Sequence, residues 1–515
     1  MAIDYSLYLV TDSTPAILGD KDLPSIVEAA LQGGVTIVQY RDKTSDIAEL
    51  IRMGERLHAI TKRHNVPLLI NDHVGVAQAI GAEGVHLGQD DMDLQTARRI
   101  LGPDAIIGVS ANNMFEAVEA ATGGANYLGI GTIYATPTKE NTKSIIGTAG
   151  VRDILWLLSQ PYHKLPTVAI GGLNASNIQR VIYQSKSPSK GLDGVAVVSA
   201  IMAAADPEDA AAALRRLIDN VPTTMSPKAN ENQKVETLLS QIPSIVKKLG
   251  QTNPLCHNMT NLVVQNFAAN VALSIGASPI MANYGEEAKD LAALGGALVI
   301  NMGTVTPDGL LNYTSAMRAY NEVGGPILFD PVGAGATEIR RNAVKTLLSN
   351  GYFDVIKGNE NEIMTVFGAT TTQQKGVDSG ASTSGEADKV WLVKALAARE
   401  RNVVLMTGKT DYLSDGDRTY AIKNGHAYLG RITGSGCTLG TTIAAFLTVH
   451  KEDRLLAALA GILMFEIAAE QAAARDDVKG PGTFVPAFID QLFQISADAA
   501  VDDSEWLEAA KVEKL

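Results

Sequence analysis

Polar side chains follow the short apolar segments that recur through the first 220 residues, and their types suit the binding of a metal and an anion. Asp72 and Asp91 follow two of these segments, and a pair of carboxylates suits a divalent cation with oxygen ligands. Cations and hydroxyl groups after other segments suit a multiply charged anion. With the amides of Gln39 and Asn71, these groups are Arg41, Lys43, Ser110, Thr136, Thr138 and Lys139. Together, the carboxylates and cations predict a pyrophosphate site that contains magnesium.

A second phosphate site is predicted by the glycine pair in "AIGG" (169–172) and by Ser199, which end the seventh and eighth apolar segments. Backbone N–H groups at such turns can face a single phosphate. Single residues have simpler interpretations: Asp72 and Asp91 could cap the helices that follow them. Lys43 alone could be a solvated surface residue. The joint occurrence of these groups at segment ends favours a binding site.

Eight short apolar segments, which alternate with longer stretches of helical spacing, would position these groups. Eight such units in the first 220 residues predict a closed parallel (β/α)8 barrel, and an open doubly wound sheet is the weaker alternative. The segment "NVPTTMSPKANENQK" (220–234) has the composition of a linker. We therefore predict a first domain at 1–222, a linker at 223–234 and a second domain at 235–515.

In the second half, the turn "TGSGC" (433–437) opens an apolar helix and contains Cys437. The N-terminus of a helix presents free N–H groups to an anion, and its dipole favours a thiolate. We therefore predict an anion site and a lowered pKa for Cys437. A small buried hydrophobe is the alternative for Cys437, and Cys256 is predicted to be a core residue.

Other strand ends in this half supply the groups that phosphoryl transfer needs, namely carboxylates, a cation and a hydroxyl group. They are Asp330, Lys357, Glu362 and Thr407. A capping arrangement with Asn359 is the alternative for Glu362. No G-x-x-x-x-G-K-[ST] occurs, which excludes a P-loop kinase. The strand spacing predicts an open parallel sheet flanked by helices, with a peripheral acidic helix after residue 500.

Composition restricts the class of protein. The formal net charge of -13 argues against a general nucleic-acid surface. Two cysteines cannot form a disulfide framework, which suits a reducing compartment. The start of the chain lacks the pattern of a secretory signal, and we identify no stretch of about 18 apolar residues. We therefore predict a cytoplasmic protein without a membrane-spanning helix.

The motifs "QYRDK", "NDH", "GQDD", "GVSA", "ATPTK", "AIGG" and "VVSAI" occur in the order and spacing of thiamine-phosphate synthases. This resemblance covers nearly all of residues 1–220 and implies that Asp72 and Asp91 bind magnesium. It implies that an aminopyrimidine diphosphate is held by Gln39, Tyr40, Arg41, Asp42, Lys43, Asn71, Ser110 and Lys139. It implies that a thiazole phosphate is held by Thr136, Pro137, Thr138, Gly172, Val198 and Ser199.

The strand-end motifs of the second half, with "HNMTNLVVQNFAANVALSIGASPIMA" (257–282), resemble hydroxyethylthiazole kinases of the ribokinase-like superfamily. The resemblance implies an αβα domain with a mostly parallel sheet. It implies that Cys437 is the proton acceptor, at a position where the wider superfamily usually has aspartate. The other implied contacts are Met281 and Gly434 for the thiazole alcohol, Lys357 and Thr407 for ATP, and Asp330 and Glu362 for magnesium.

The whole chain resembles the fungal bifunctional enzymes of thiamine biosynthesis. One half would phosphorylate hydroxyethylthiazole with ATP. The other would join the thiazole phosphate to the aminopyrimidine diphosphate, with magnesium, and release pyrophosphate. Two alternatives are a non-catalytic sensor of thiamine intermediates and a synthase whose second half serves assembly. The kinase family also implies a homo-oligomer built from trimers. From charge and composition, we expect small-molecule ligands and no nucleic-acid or membrane partner.

Overall fold

The structure is a computed structural model that describes residues 3–134, 136, 145–160, 162, 164–220, 234–368 and 385–515. The chain divides into two compact units, Met1–Met225 and Ser226–Leu515. The predicted linker at 223–234 lies outside the described residues except for Lys234, so its boundaries stay a prediction.

The first unit is a closed barrel of eight parallel strands, in which each strand pairs with the next and the eighth pairs with the first. This confirms the (β/α)8 barrel and excludes the open sheet. The strands are β1 (Leu7–Val10), β2 (Ile37–Tyr40), β3 (Leu68–Asn71), β4 (Gly84–Leu87), β5 (Ile106–Ala111), β6 (Tyr127–Ile130), β7 (Thr167–Ile170) and β8 (Gly194–Val197). The helices are α1 (Pro15–Leu18), α2 (Leu23–Gln32), α3 (Ile47–Arg63), α4 (Val74–Ile80), α5 (Leu94–Leu101), α6 (Met114–Thr122), α7 (Gly147–Leu158), α8 (Ile178–Gln184), α9 (Ser199–Met202) and α10 (Pro207–Asp219).

Successive side chains of each barrel strand face opposite sides of the sheet. In β2, Ile37 belongs to the cluster inside the barrel. Val38 and Tyr40 belong to the layer between the strands and the helices. The same alternation directs Gln39 into the barrel and Arg41 toward its mouth. At the carboxyl end of a strand, alternate residues of the motif therefore direct their side chains toward the mouth of the barrel.

The second unit contains a nine-stranded sheet among the described residues, parallel through its first six strands and antiparallel beyond them. Its strands are β9 (Leu255–Met259), β10 (Ser278–Ile280), β11 (Ala297–Asn301), β12 (Ile327–Asp330), β13 (Val355–Asn359), β14 (Val403–Thr407), β15 (Asp411–Ser414), β16 (Thr419–Ile422) and β17 (Val512–Lys514). They lie in the order β10-β9-β11-β12-β13-β14-β15-β16-β17. Its helices are α11 (Val235–Leu239), α12 (Ile242–Thr252), α13 (Gln265–Ser274), α14 (Ala288–Ala293), α15 (Pro307–Glu322), α16 (Glu338–Asn350), α17 (Glu360–Phe367), α18 (Glu386–Glu400), α19 (Ser435–Val449), α20 (Arg454–Ala473) and α21 (Pro481–Ala500). This confirms the predicted mostly parallel α/β sheet.

Parts of this sheet were not predicted from the sequence. Strands β9 and β10 are short and contain polar residues or proline, so they lack the continuous apolar run of a buried parallel strand. The prediction of a peripheral helix after residue 500 is wrong, because β17 pairs antiparallel with β16 at the edge of the sheet. Trp506, in the short 3-10 helix before β17, is buried and secures this segment to the core.

Helix α20 is long and apolar enough to span a membrane by length and composition, which the sequence analysis overlooked. Its most apolar 18-residue window is 89% buried inside the structure. The helix packs against α19 and α21 in the largest apolar cluster of the second unit. Its apolar surface is therefore that of a core helix, which is buried all round.

An ion-pair cluster joins α20 to the antiparallel strands. Arg418, with a side chain 3% exposed, donates to both oxygens of Asp453 at 2.6 and 2.8 Å and pairs with Asp415 at 2.8 Å. Asp453 also caps α20 by accepting from Leu456 N at 3.1 Å. The buried guanidinium therefore connects the hairpin to the helix N-terminus.

Arg418→Met is expected to lower the free energy of unfolding of the second unit by about 3 kcal/mol, because it leaves two carboxylates without their buried partner. Urea unfolding followed by circular dichroism would measure it. Arg475→Met is the matched control, since Arg475 forms an exposed pair with Asp477. Equal midpoints for the two variants would contradict the prediction.

Candidate active sites

Two aspartates and a lysine lie together at the mouth of the barrel, after the ends of β2, β3 and β4. Lys43 Nζ forms an ion pair with Asp72 Oδ2. The carboxyl groups of Asp72 and Asp91 lie within hydrogen-bond reach of each other. Burial and the neighbouring Asp72 raise the pKa of Asp91. Two carboxylates that repel each other are stabilised by a shared cation, so the pair fits a divalent metal.

The capping interpretation of these aspartates is wrong. Asp93, not Asp91, caps α5 with its side chain. Helix α4 begins after His73 and has no side-chain cap. Asp91 Oδ2 instead accepts from Gly88 N at 2.7 Å within its own loop. Asp72 has a φ of 62°, in the left-handed region that aspartate and asparagine adopt more readily than most residues.

Arg41 is held at the mouth by residues that the sequence analysis did not select. Its Nη1 pairs with Asp12 Oδ2 at 3.0 Å, and the side chain of Asp12 is 3% exposed. Its backbone N–H donates to Thr11 Oγ1 at 2.9 Å. Thr11 and Asp12 end the motif "YLVTD" and follow β1, so their position at a strand end was the available signal.

A chain of hydrogen bonds inside the barrel connects two predicted substrate contacts. Gln39 Nε2 donates to Tyr8 OH at 2.8 Å, and the hydroxyl groups of Tyr8 and Tyr127 are 2.7 Å apart. Tyr127 OH lies 2.7 Å from His86 Nδ1, and His86 Nε2 lies 2.9 Å from Ser110 Oγ. This network fixes the side chains of Gln39 and Ser110 below the mouth. Its three central members, Tyr8, Tyr127 and His86, were not predicted because each one alone has the sequence setting of a core residue.

Tyr40 and Asp42, two predicted contacts of the pyrimidine diphosphate, have other contacts in the structure, and their predicted role stays a prediction. Tyr40 is 2% exposed and packs between the strands and the helices. Asp42 accepts from the backbone N–H groups of Thr44 and Ser45 at 2.8 and 3.1 Å, so it orders the turn before α3. The alternation along β2 is the physical reason for Tyr40, because it turns Gln39 to the inner side of the barrel and Tyr40 to the outer side.

The other predicted contacts of the first unit also lie at strand ends. Gly171 has a φ of 108°, and a Cβ there would come within 2.5 Å of Thr132 Cγ2, so the glycine turn is required. Asn71 ends β3 and is 9% exposed. Gly172 follows β7, Val198 and Ser199 follow β8, and Thr136 follows β6. Pro137, Thr138 and Lys139 lie outside the described residues.

In the second unit, Asp330 and Lys357 form a fully buried ion pair at the carboxyl ends of β12 and β13. Lys357 Nζ lies 3.0 Å from Asp330 Oδ2 and donates to the carbonyl of Gly436 at 2.8 Å. Although burial opposes it, the Asp330 carboxylate raises the pKa of Lys357. The lysine therefore connects the carboxylate to the glycine-rich turn and stays charged.

Glu362 is both a capping residue and a member of this cluster. It forms a capping box with Asn359 at the start of α17, and its Oε1 accepts from Gly333 N at 2.8 Å. Burial, followed by the charge of Asp330, raises the pKa of Glu362 to about 7. The capping alternative is therefore correct and does not exclude a role beside Asp330.

Cys437 lies in the first turn of α19, as predicted, but its pKa is not lowered. Burial and the charge of Asp330 raise the pKa of the thiol to about 11. Lys357 opposes this shift, and Asn261 Nδ2 donates to Sγ at 3.4 Å. The prediction of a thiolate is wrong because loss of solvation outweighs the helix dipole at a buried position. Cys256 is fully buried, as predicted.

Two asparagines join these groups and were missed by the sequence analysis. Asn301 Nδ2 donates to Asp330 Oδ2 at 2.9 Å, and Asn261 Nδ2 donates to Asn301 Oδ1 at 3.1 Å. Asn301 ends β11, so its position at a strand end would have identified it. Asn261 lies in the motif "HNMTN", whose strand was not predicted.

The remaining predicted contacts surround this cluster. Gly434, with a φ of 85°, precedes α19, and a Cβ there would lie 2.5 Å from Val264 Cγ2. Thr407 ends β14 beside Asn359 of β13. Met281 follows the edge strand β10, and the next residue, Ala282, has its carbonyl 2.9 Å from Nε2 of the buried His257. All predicted groups of this site therefore lie along the carboxyl edge of one parallel sheet.

Asp330 and Glu362 also fit a magnesium ion. Asp330 Oδ1 is buried and has no hydrogen-bond partner, which leaves one carboxylate oxygen for another ligand. Within the described ranges, no group of three or more potential metal-ligating side chains forms. This agrees with Mg²⁺, which proteins usually bind through one or two carboxylates together with substrate phosphates and water.

Comparison with known proteins assigns both units. A family model described as "Thiamine monophosphate synthase" matches residues 7–201, and one described as "Hydroxyethylthiazole kinase family" matches residues 246–498. The chain is 44% identical to a probable thiamine biosynthetic bifunctional enzyme of Schizosaccharomyces pombe over 99% of each chain. It is 38% identical to the thiamine biosynthetic bifunctional enzyme of Saccharomyces cerevisiae over 96% of each. The chain therefore belongs to the family of bifunctional thiamine biosynthetic enzymes, with a thiamine-phosphate synthase domain followed by a hydroxyethylthiazole kinase domain.

Proposed function

We propose that the two strand-end clusters are the active sites of two consecutive reactions. The kinase domain transfers the γ-phosphoryl group of ATP to the hydroxyl group of hydroxyethylthiazole. The synthase domain joins the resulting thiazole phosphate to the aminopyrimidine diphosphate and releases pyrophosphate. The observation that carries this proposal is that each domain brings an acidic pair and a lysine together at the carboxyl edge of its sheet. Because both clusters are intact, we do not favour the two alternatives, a non-catalytic sensor and a second half that is purely structural.

In the kinase domain, the turn before α19 faces its N–H groups toward the phosphates that are transferred. Lys357 holds this turn through Gly436 and holds Asp330 through its carboxylate. Thr407 contacts the nucleotide, while Met281 and Gly434 contact the thiazole alcohol. Magnesium held by Asp330 and Glu362 would neutralise phosphate charge when bound. Cys437 takes the proton of the alcohol only in its thiolate form, which is a minor species at neutral pH.

In the synthase domain, the pyrophosphate group leaves a primary carbon attached to an electron-rich aminopyrimidine, which stabilises the resulting cation. Arg41 and Lys43 stabilise the charge of the departing pyrophosphate. Magnesium held by Asp72 and Asp91 would neutralise the oxygens that these cations do not contact. The thiazole nitrogen then captures the carbon cation, so no strong protein nucleophile is needed. Gln39 and Ser110 orient the pyrimidine through their fixed positions.

The proposal is tested by incubating the purified chain with Mg²⁺, ATP, hydroxyethylthiazole and the aminopyrimidine diphosphate. Thiamine phosphate is expected to form, and omission of ATP should prevent its formation unless thiazole phosphate is supplied. Thiamine phosphate formation without ATP from the unphosphorylated alcohol would contradict the division of labour. We also propose a cytoplasmic location. We propose an assembly built from trimers, which light scattering would test.

Cys437→Ala is expected to lower kinase kcat by about 100-fold, the low end of the range for loss of a general base. The effect is small because a thiol with a pKa of about 11 supplies little base at neutral pH. Steady-state assays of thiazole phosphorylation would measure it, with synthase activity as the internal control. Undiminished turnover would show that the backbone N–H groups and the charges of the site carry the step without the sulfur.

A further inference from the structure

Two carboxyl groups are buried together in the kinase domain, outside the proposed metal pair. Asp411 begins β15 and is 3% exposed, and Glu466 lies in α20 and is 7% exposed. The two side chains lie within hydrogen-bond reach of each other. Glu466 Oε2 is buried and no N–H or hydroxyl group of the described residues donates to it. A carboxyl pair in this setting is stable only if it holds a proton.

The shared proton agrees with the surroundings of both groups. Burial raises the pKa of Asp411 to about 6, and burial with the charge of Asp411 raises the pKa of Glu466 well above its usual value. Among the described residues, Glu470 of the same helix repels Glu466, and Lys357 of β13 attracts Asp411. Lys511 pairs with Glu470 at 2.8 Å. A proton shared by the pair therefore resides on Glu466, which donates it in a hydrogen bond to the Asp411 carboxylate.

Asp411 connects this pair to the proposed nucleotide site. Its Oδ1 accepts from the backbone N–H of Gly408 at 2.8 Å, which closes the turn between β14 and β15. Gly408 directly follows Thr407, the proposed ATP contact. Glu466 thus supports, through one carboxylate, the turn that leaves the carboxyl edge of the sheet, where ligands of open parallel sheets bind.

The same face of α20 supports a second connection at this edge. Glu470, one helical turn after Glu466, accepts from Gly425 N at 3.0 Å. Gly425 has a φ of 104°, and a Cβ there would lie 3.6 Å from Glu466 Oε1. The segment after β16 and the turn after β14 are therefore held side by side by two acids of one helix.

We propose that Glu466 is a positioning residue for nucleotide binding, which as a neutral acid donates to Asp411 and so fixes the Thr407–Asp411 turn against ATP. This inference rests on the proposed ATP contact of Thr407. Loss of the proton would place two anions side by side in a buried position and push the turn away. ATP affinity should therefore be full at neutral pH and fall as the pH rises through the range in which Glu466 ionises.

The test uses the full chain and isothermal titration with a non-hydrolysable ATP analogue and Mg²⁺, from about pH 7 to about pH 9.5. Glu466→Leu should weaken the affinity about tenfold at pH 7, the effect of losing one hydrogen bond worth about 1.4 kcal/mol. The KM for hydroxyethylthiazole should not change. Glu466→Gln, which keeps a permanent donor, should bind like the wild type at pH 7 but without the alkaline weakening.

Asp453→Asn is the matched control, because Asp453 lies one residue before α20 and pairs with Arg418 away from the turn. It should lower stability without changing ATP affinity or its pH profile. Unchanged affinity in a folded Glu466→Leu variant would overturn the positioning role. If that variant does not fold, a Glu466→Gln profile that falls with pH as the wild type does would overturn it. A wild type that binds no analogue at any pH would overturn the proposed function as well.

Discussion

Asp91→Asn is expected to lower the rate of thiamine phosphate formation by about a thousandfold, which corresponds to about 4 kcal/mol of transition-state stabilisation. Asparagine keeps an oxygen that can accept from Gly88 N, so the loop is preserved. What is lost is the second negative charge beside Asp72 and with it the proposed hold on magnesium. A discontinuous assay with preformed thiazole phosphate would measure the synthase step alone.

The control for this variant is Asp93→Asn, two residues away. Asp93 caps α5, and asparagine is an equally good cap, so synthase activity should not change. The kinase activity of the same preparation reports whether the chain is intact. If Asp91→Asn retained the wild-type rate at every magnesium concentration, the acidic pair at the barrel mouth would not be the metal site.

Asp330→Asn is expected to lower kinase kcat by at least about a thousandfold while synthase activity stays constant. Asp330 is fully buried, pairs with Lys357 and has one oxygen without a partner. Removal of its charge leaves Lys357 as an uncompensated cation beside the glycine-rich turn. The variant therefore loses both the proposed metal contact and the support of the turn. Phosphorylation of hydroxyethylthiazole with labelled ATP would measure the loss.

Asp354→Asn provides a buried aspartate of the same sheet for comparison. Asp354 lies before β13, at the amino edge of the sheet, where it accepts from Ile327 N at 2.8 Å and pairs with Arg454. Its replacement should destabilise the domain and leave kcat of the folded enzyme near the wild-type value. Equal losses of kcat in the two variants would mean that Asp330 acts through stability alone.

The fold of the synthase domain follows closely from the sequence. Its strands are short and mostly apolar, such as "YLGI" or "GVAV", and longer helices of clear periodicity separate most of them. The kinase domain was less accessible, because β9 carries His257 and Asn258 in its interior and reads as a polar segment. Helices on the faces of the sheet bury these side chains, since His257 packs against Tyr320 of α15 and Asn258 accepts from Thr441 of α19, which no local pattern of residues reveals.

The sites were predictable as far as they depend on strand ends. Asp72, Asp91, Asp330 and Lys357 all lie where the chemistry of their residue types suggested. The pKa of Cys437 and the pairing of Asp411 with Glu466 were not predictable, because they depend on contacts between residues that are far apart in the sequence. The pKa of Cys437 is set by its burial and by Asp330, which is 107 positions away in the chain. The pairing of Asp411 with Glu466 requires a helix 55 positions later to pack on the β14–β15 turn.

The apolar character of α20 has a consequence for biosynthesis. The helix is covered by α19, which precedes it, and by α21, which follows it in the chain. During translation, α20, which is as apolar as a membrane-spanning helix, therefore emerges from the ribosome before α21 has been synthesised. Until residues 481–500 have been made, the nascent polypeptide exposes part of this apolar surface, which favours aggregation at that stage of synthesis.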